Sequence, residues 1–291
     1  MPNGMIVIDK PAGWTSQDVV AKLRGLIGER RVGHGGTLDP MATGVLPVFF
    51  GRATRAVEFF EHAEKEYVAG LRLGLTTDTQ DITGNVLTET SVSVTRAEVQ
   101  AALTSLEGVQ KQIPPMYSSI KVGGKKLYEL AREGKEIPRQ ARRITIFETE
   151  LLEGAGTDWK FRVHCSKGTY VRTLCEELGK RLGCGGCMSS LRRTRAGAFS
   201  QAIPLQTVME MTKEERQTLL MPVDRLFSAY PALTLTENQT KVLFHGGFFT
   251  LRRPECGDGR YRFYAPDGSF LALGQVDDGI AKSVKSFFEV P

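Results

Sequence analysis

No stretch of this sequence is apolar for long enough to cross a membrane, and the opening Met1-Pro2-Asn3-Gly4 carries no basic, apolar leader. The cytoplasm is therefore the expected compartment. No dinucleotide fingerprint is present, and Gly123-Gly124-Lys125-Lys126 lacks the earlier Gly and final Ser/Thr of a phosphate-binding P-loop. Cysteine is sparse and odd in number: five residues, at 165, 175, 184, 187 and 256, in a chain too long to need disulfide staples. Free thiols are expected. Cys184 and Cys187 flank two glycines, but zinc needs a second Cys/His pair at ligand spacing, which His164-Cys165 and Cys256 do not supply. The pair reads as a turn after a helix. These absences leave no expected metal, nucleotide or redox cofactor.

What is present is ordinary in amount and uneven in placement. Hydrophobic residues make 41% of the chain and charged ones 24%, enough at 291 residues for one large core, or a main domain with a small appendage. The net charge is +5, yet residues 121–195 hold 17 Lys/Arg against 9 Asp/Glu, which leaves the remainder net acidic. A basic middle suits a phosphate-bearing partner, although a solvated charged face has the same composition.

Residues 4–8 read as a strand, followed by the turn-rich Asp9-Lys10-Pro11-Ala12-Gly13-Trp14. Ser16 is placed to cap a helix reaching Ile27, with Val19, Val20, Leu23, Leu26 and Ile27 on one face and Gly28 at its end. A short helix is expected near 54–63, then a strand over 66–73 with Tyr67, Ala69, Leu71 and Leu73 on one face. Residues 76–84 read as a polar loop, and Thr95 with Glu98 as a capping box.

Residues 111–143 form a basic insertion in which Tyr117 and Tyr128 lie among the cations, a mixture suited to phosphates and exposed bases. Its Lys125, Lys126, Arg132, Arg142 and Arg143 are candidate RNA-backbone contacts. Strands over 144–152 and 159–165 lead to a helix over 169–182. Arg172 in its first turn opposes the helix dipole, which fits a carboxylate or phosphate partner, although an ordinary surface arginine shows the same pattern. Residues 221–232 read as a linker, and 233–291 as a small β-rich unit with Thr236 capping a helix and a hairpin turning at Pro266-Asp267-Gly268.

The segment Gly33-His34-Gly35-Gly36-Thr37-Leu38-Asp39-Pro40-Met41-Ala42-Thr43-Gly44-Val45-Leu46-Pro47 follows neither a helical nor an alternating period, and its glycines and prolines prescribe a shaped loop. An isolated Asp-Pro step reads as an Asx turn. The whole phrase closely resembles the catalytic motif of the bacterial tRNA pseudouridine synthases of the TruB type. The Asp-Lys-Pro-x-Gly phrase at 9–13 matches that family's first motif. Ser166-Lys167-Gly168-Thr169-Tyr170-Val171-Arg172-Thr173-Leu174 matches another, and the likeness spans about residues 4–200.

The resemblance implies conversion of uridine 55 in the tRNA T loop to pseudouridine, by flipping the nucleotide out of its stack and using Asp39 as the nucleophile. It pairs Arg172 with Asp39 and makes Tyr67 the platform and proton relay for the flipped uracil. Tyr170 and Leu191 complete the pocket, His34 supports the flipped RNA, and Lys10 counts among the substrate-binding residues. The implied fold is α+β, a mixed, mainly antiparallel sheet flanked by helices, plus a small β-rich PUA-like domain. The expected division is a catalytic domain over 1–225, including the 111–143 insertion, and a PUA-like RNA-binding domain over 233–291. The implied partner is the T stem-loop of tRNA, met by a monomer without guide RNA or membrane. Attack at C1′, attack on the uracil ring and a glycal route all remain open at this level. So do two rival readings, a non-catalytic RNA-binding protein and a guide-RNA-dependent relative.

Overall fold

The computed structural model describes residues 2–251 and 257–289, so Cys256 lies outside the described residues. Strand β1 (Gly4–Lys10) leads into helix α1 (Ser16–Ile27). The N-cap is Thr15 and not the expected Ser16. Thr15 Oγ1 accepts from the Asp18 amide at 3.0 Å, and Asp18 Oδ2 accepts from the Thr15 amide at 2.8 Å. This reciprocal pair satisfies two free donors at once and releases Ser16 for a contact described below. Val19, Val20, Leu23 and Ile27 are buried, and Gly28 ends the helix at φ 74°.

Strands β2 (Val32–His34) and β3 (Thr43–Phe50) bracket the glycine-rich loop and pair antiparallel, His34 opposite Val48. A 3-10 segment over Gly51–Ala56 and one helical turn, α2 (Val57–Phe60), replace the single helix expected over 54–63. The buried Lys65 ammonium takes the carbonyls of Glu61 and Ala63, which stops the helix after Phe60. On β4 (Lys65–Leu73) Tyr67, Ala69, Leu71 and Leu73 are buried, as the alternation required.

A ribbon of β5 (Leu75–Thr77) and β6 (Val86–Glu89) flanks the segment expected as a plain polar loop, yet Thr77 and Asp81 within it are buried. Helix α3 (Arg96–Thr104) opens on the Thr95–Glu98 capping box. Strand β7 (Gly108–Gln112) leads into the basic stretch, which folds as a hairpin, β8 (Lys121–Val122) and β9 (Lys125–Lys126), and a short helix α4 (Leu127–Arg132). The hairpin of β10 (Arg142–Ala155) and β11 (Asp158–Cys165) follows, then α5 (Val171–Arg181) and β12 (Gly186–Ala196). Strand β13 (Ile203–Pro204) and helices α6 (Leu205–Glu210) and α7 (Lys213–Thr218) complete this part.

The main sheet runs β13-β1-β3-β12-β4-β11-β10-β7, with β2 beside β3. Only β1–β13 and β3–β12 pair in parallel among these neighbours, so the sheet is mixed and mainly antiparallel. One face carries Ile6, Leu46, Tyr67, Leu71 and Phe161, covered by Leu23, Leu103 and Leu178 of the helices.

The C-terminal part comprises β14 (Ala232–Thr234), α8 (Glu237–Phe244), β15 (Phe249–Thr250), β16 (Gly259–Tyr264), β17 (Phe270–Asp277) and β18 (Ile280–Ser286). Its five strands form a separate sheet, consistent with a PUA-like module. The linker reading of 221–232 is corrected. Val223–Phe227 forms a 3-10 turn, and Phe227 is buried with Met5, Phe49 and Phe60 of the main part and Leu273 and Phe287 of the C-terminal sheet. Withdrawing these aromatic surfaces from water favours docking over a free tether.

Cys165, Cys175, Cys184 and Cys187 are free and buried. Among the described residues no helix is long and apolar enough to cross a membrane.

Candidate active site

Arg172 is buried although it sits in the first turn of α5. Its Nε donates to Asp39 Oδ2 at 3.0 Å. Nη1 donates to the Thr79 carbonyl at 3.1 Å and Nη2 to the Tyr117 carbonyl at 2.7 Å. Asp81 Oδ2 stands 3.8 Å from Nη1. One guanidinium thus joins the glycine-rich loop, the 77–83 segment and the basic insertion. The electrostatic mismatch with the helix dipole is resolved by two carboxylates and two carbonyls.

Nothing in the sequence singles out Asp81. Its Oδ1 accepts from Thr79 Oγ1 and the Thr83 amide, each at 3.0 Å, and from Thr83 Oγ1 at 2.5 Å. That self-contained pattern reads locally as an Asx turn. Only the fold turns its second oxygen toward Arg172.

The Asp39 loop is braced from below. Ser16 Oγ accepts from the Leu38 amide at 2.8 Å and is 3.2 Å from the Leu38 carbonyl, fixing the residue before Asp39. Lys10 donates to the carbonyls of Trp14 at 2.6 Å, Pro11 at 2.9 Å and Pro40 at 3.3 Å. Lys10, expected among the substrate-binding residues, is fully buried with its ammonium on backbone that holds the loop. Burial brings its pKa down to about 8, against the opposing pull of Asp39. Gly44, at φ 102°, lies so close to β12 that a Cβ would stand 2.2 Å from the Arg193 carbonyl, so no side chain fits.

Tyr67 and Leu191 are buried on the same sheet face, since Leu191 pairs with Ala69 and Arg193 with Tyr67 across β12 and β4. Burial raises the Tyr67 phenol, while Arg193 pulls it back. Tyr170 precedes α5 with its backbone clamped by Gln112, whose Oε1 accepts from the Tyr170 amide at 2.8 Å and whose Nε2 donates to its carbonyl at 3.1 Å. The charge of Asp39 raises both phenols further. His34 is half-buried with no hydrogen-bond partner at Nδ1, and burial followed by Arg193 lowers its pKa.

Burial raises the Asp39 carboxyl above the ordinary aspartate value, and the neighbouring Asp81 adds to this; Arg172 and Lys10 oppose both. Arg172 and Lys10 thus favour the ionised carboxylate in surroundings that disfavour charge. A third of the side chain still reaches solvent, which leaves one edge free to meet a reacting atom.

The candidate phosphate-binding residues are spread along the insertion, and the charge of Arg142 pulls the Tyr170 phenol down against burial. Lys125 pairs with Glu133 at 3.4 Å. The Lys126 and Arg132 cations stand 5.3 and 5.5 Å from the Tyr128 ring centroid. Arg142 and Arg143 are exposed at the start of β10. A cavity of about 810 Å³, lined by Gln80, Met116, Tyr117, Arg139 and Thr173, separates the insertion from α5; neither Asp39 nor Tyr67 lines it.

Comparison with known proteins agrees over nearly the whole length. Residues 24–171 match the model of the TruB family pseudouridylate synthase N-terminal domain. Residues 172–228 match that of the tRNA pseudouridylate synthase B C-terminal domain. The tRNA pseudouridine synthase B of Azoarcus sp. (strain BH72) is 43% identical over 279 residues, covering 95% of this chain and 92% of its own. That of Syntrophomonas wolfei is 40% identical over 286 residues, covering 95% and 94%. Among solved structures, a Cbf5-Nop10-Gar1 complex superposes with TM-score 0.73 at 27% identity, covering 98% of this chain and 85% of that one. An H/ACA RNP bound to a substrate RNA containing 2'-deoxyuridine gives TM-score 0.72 at 25% identity, with coverages of 98% and 85%.

Proposed function

Because the chain belongs to the TruB family of pseudouridylate synthases, we propose that it converts uridine 55 in the T loop of tRNA to pseudouridine without a guide RNA. That it is a tRNA pseudouridine synthase rests on relatives of that name at 40–44% identity across most of the chain. The observation that carries the assignment of roles is the 3.0 Å contact between Asp39 and Arg172, with Tyr67 and Tyr170 in the field of the same carboxylate.

The reaction breaks the C1′–N1 bond, turns the detached uracil and joins C1′ to C5. It involves no net oxidation, and it requires an ionised nucleophile and a route for the C5 proton. Asp39 is the nucleophile, kept anionic by Arg172. Tyr67 is the stacking platform and proton relay, and Tyr170 and Leu191 enclose the base while it turns. The uridine reaches them only after leaving its stack, and His34 supports that flipped arrangement. The exposed cations Lys125, Arg132, Arg142 and Arg143, with the half-buried Lys126, grip the phosphates. Residues 1–225 are the catalytic domain and 233–291 a PUA-like RNA-binding domain, in a monomeric cytoplasmic enzyme.

Purified protein incubated with unmodified tRNA transcript, and no other component, tests the reading. Pseudouridine mapped to position 55 is the expected product. Binding without conversion would indicate a non-catalytic RNA binder, and conversion only with an added guide would indicate the ribonucleoprotein type.

A further inference from the structure

Arg193 heads the largest fully buried side chains, at 1% exposure. Among the described residues it makes no ion pair with a carboxylate. A buried cation without a counter-ion is costly, so its polar contacts explain its presence. Nε donates to the Val45 carbonyl at 2.6 Å and Nη2 to the Gly36 carbonyl at 3.2 Å. Gly36 precedes Asp39 in the loop and Val45 follows it, so one side chain closes the loop on both sides. The same side chain lies across the strand pair from Tyr67, and its charge pulls the Tyr67 phenol down against burial.

We propose that Arg193 is a positioning residue for the reaction, fixing the Asp39 loop and the Tyr67 hydroxyl relative to each other. Its planar fork serves carbonyls on the loop and on β3 while its charge faces Tyr67, which a lysine ammonium on a flexible stem does not reproduce. The groups acting on Tyr67 are Arg193 from β12, Cys165 from β11 and Asp39 from the loop. Arg193 in turn faces His34, Lys10 and Lys65, each of which it disfavours in the charged form. It is therefore the cation that draws the Tyr67 proton toward release, without contacting substrate itself.

The inference rests on the role given to Tyr67 above. Conversion of tRNA by the wild-type enzyme tests that reading independently, so the two failures are distinguishable. The decisive measurement is the single-turnover rate at saturating tRNA for Arg193→Lys and Arg193→Gln, each with and without Tyr67→Phe, alongside tRNA affinity and melting curves. We expect losses of about 10-fold and about 100-fold, the scale associated with misplaced reacting groups, with affinity within about twofold of wild type. The losses shrink by at least about threefold when Tyr67→Phe is already present. The alkaline feature of the pH profile that depends on Tyr67 moves to higher pH in Arg193→Gln and stays in place in Arg193→Lys. Equal losses in both backgrounds, an unmoved profile, or a loss confined to affinity would overturn the proposal. Failure of both variants to fold would also overturn it, making Arg193 a scaffold residue.

Discussion

At the scale of single residues, Asp39 and Arg172 form a pair whose parts fail differently. Asp39→Asn keeps the side chain's size and removes the anion, so pseudouridine formation should vanish while tRNA binding persists; appreciable turnover by this variant would refute the nucleophile. Arg172 spends only Nε on Asp39 and its other nitrogens on the Thr79 and Tyr117 carbonyls. These acceptors are spread around a planar fork that a compact ammonium on a flexible stem does not match, so Arg172→Lys should lose about 100-fold in single-turnover rate with a smaller loss in affinity. The sign of the pH effect is also fixed. Arg172 holds the Asp39 carboxyl down against burial, so Arg172→Met should move the acid limb of the rate profile to higher pH.

Lys10 offers a stability test at the same scale. Its folded-state pKa of about 8 lies below the ordinary 10.5, so the unfolded chain binds the extra proton between those values. The stability it contributes is complete above 10.5 and lost as pH falls through 8. The melting-temperature advantage of wild type over Lys10→Met should therefore grow across that window; a constant difference would mean Lys10 does not titrate there.

At the scale of elements, the insertion separates grip from chemistry. The cations of the β8–β9 hairpin and α4 gather around Tyr128, with Lys126 and Arg132 over its ring. Changing Lys125, Lys126 and Arg132 together to Gln should weaken tRNA binding and flatten its dependence on log salt, by about 0.7–0.9 for each phosphate no longer neutralised. The rate at saturating tRNA should be nearly unchanged. Binding titrations over a salt series check this, and an unaltered slope would reduce the stretch to a solvated face. The insertion is nevertheless not independent of the centre, because its Tyr117 carbonyl is one of the acceptors that orient Arg172.

At the scale of the whole molecule, the two sheets share a core. Phe227 lies between Phe59, 5.4 Å away with rings edge-on, and Phe287, at 5.7 Å. Arg55 donates to Ser286 Oγ at 2.8 Å, and Tyr264 donates to Asp224 at 2.6 Å, so polar contacts tie the same seam. Phe287→Ala should cost about 3–5 kcal/mol. Calorimetry should show it lowering the temperature of one common unfolding transition. A separate early transition for the C-terminal sheet would mean that the seam does not couple the two parts.

The sequence by itself determined the elements whose signals are local: the alternating face of β4, the capping box at Thr95, the helix cap at Thr236, the glycine stop at Gly28 and the hairpin at Pro266-Asp267-Gly268. It also held the motif that carries Asp39 and the segment that carries Arg172, because reactive groups in a shaped loop and a helix start are written contiguously. Tertiary structure decided what depends on contacts between distant segments. Asp81 looks like a turn residue until Oδ2 meets Arg172, and nothing in the sequence shows that the Trp14 and Pro40 carbonyls close over Lys10. Residues 221–232 look like a linker until Phe227 finds an apolar seam on both sides. Arg193 gives no sign in sequence of being withdrawn from solvent, because burial is conferred by the strands and loop packed around a side chain. A linear pattern records what a residue can offer; only the packed fold fixes which partners satisfy it.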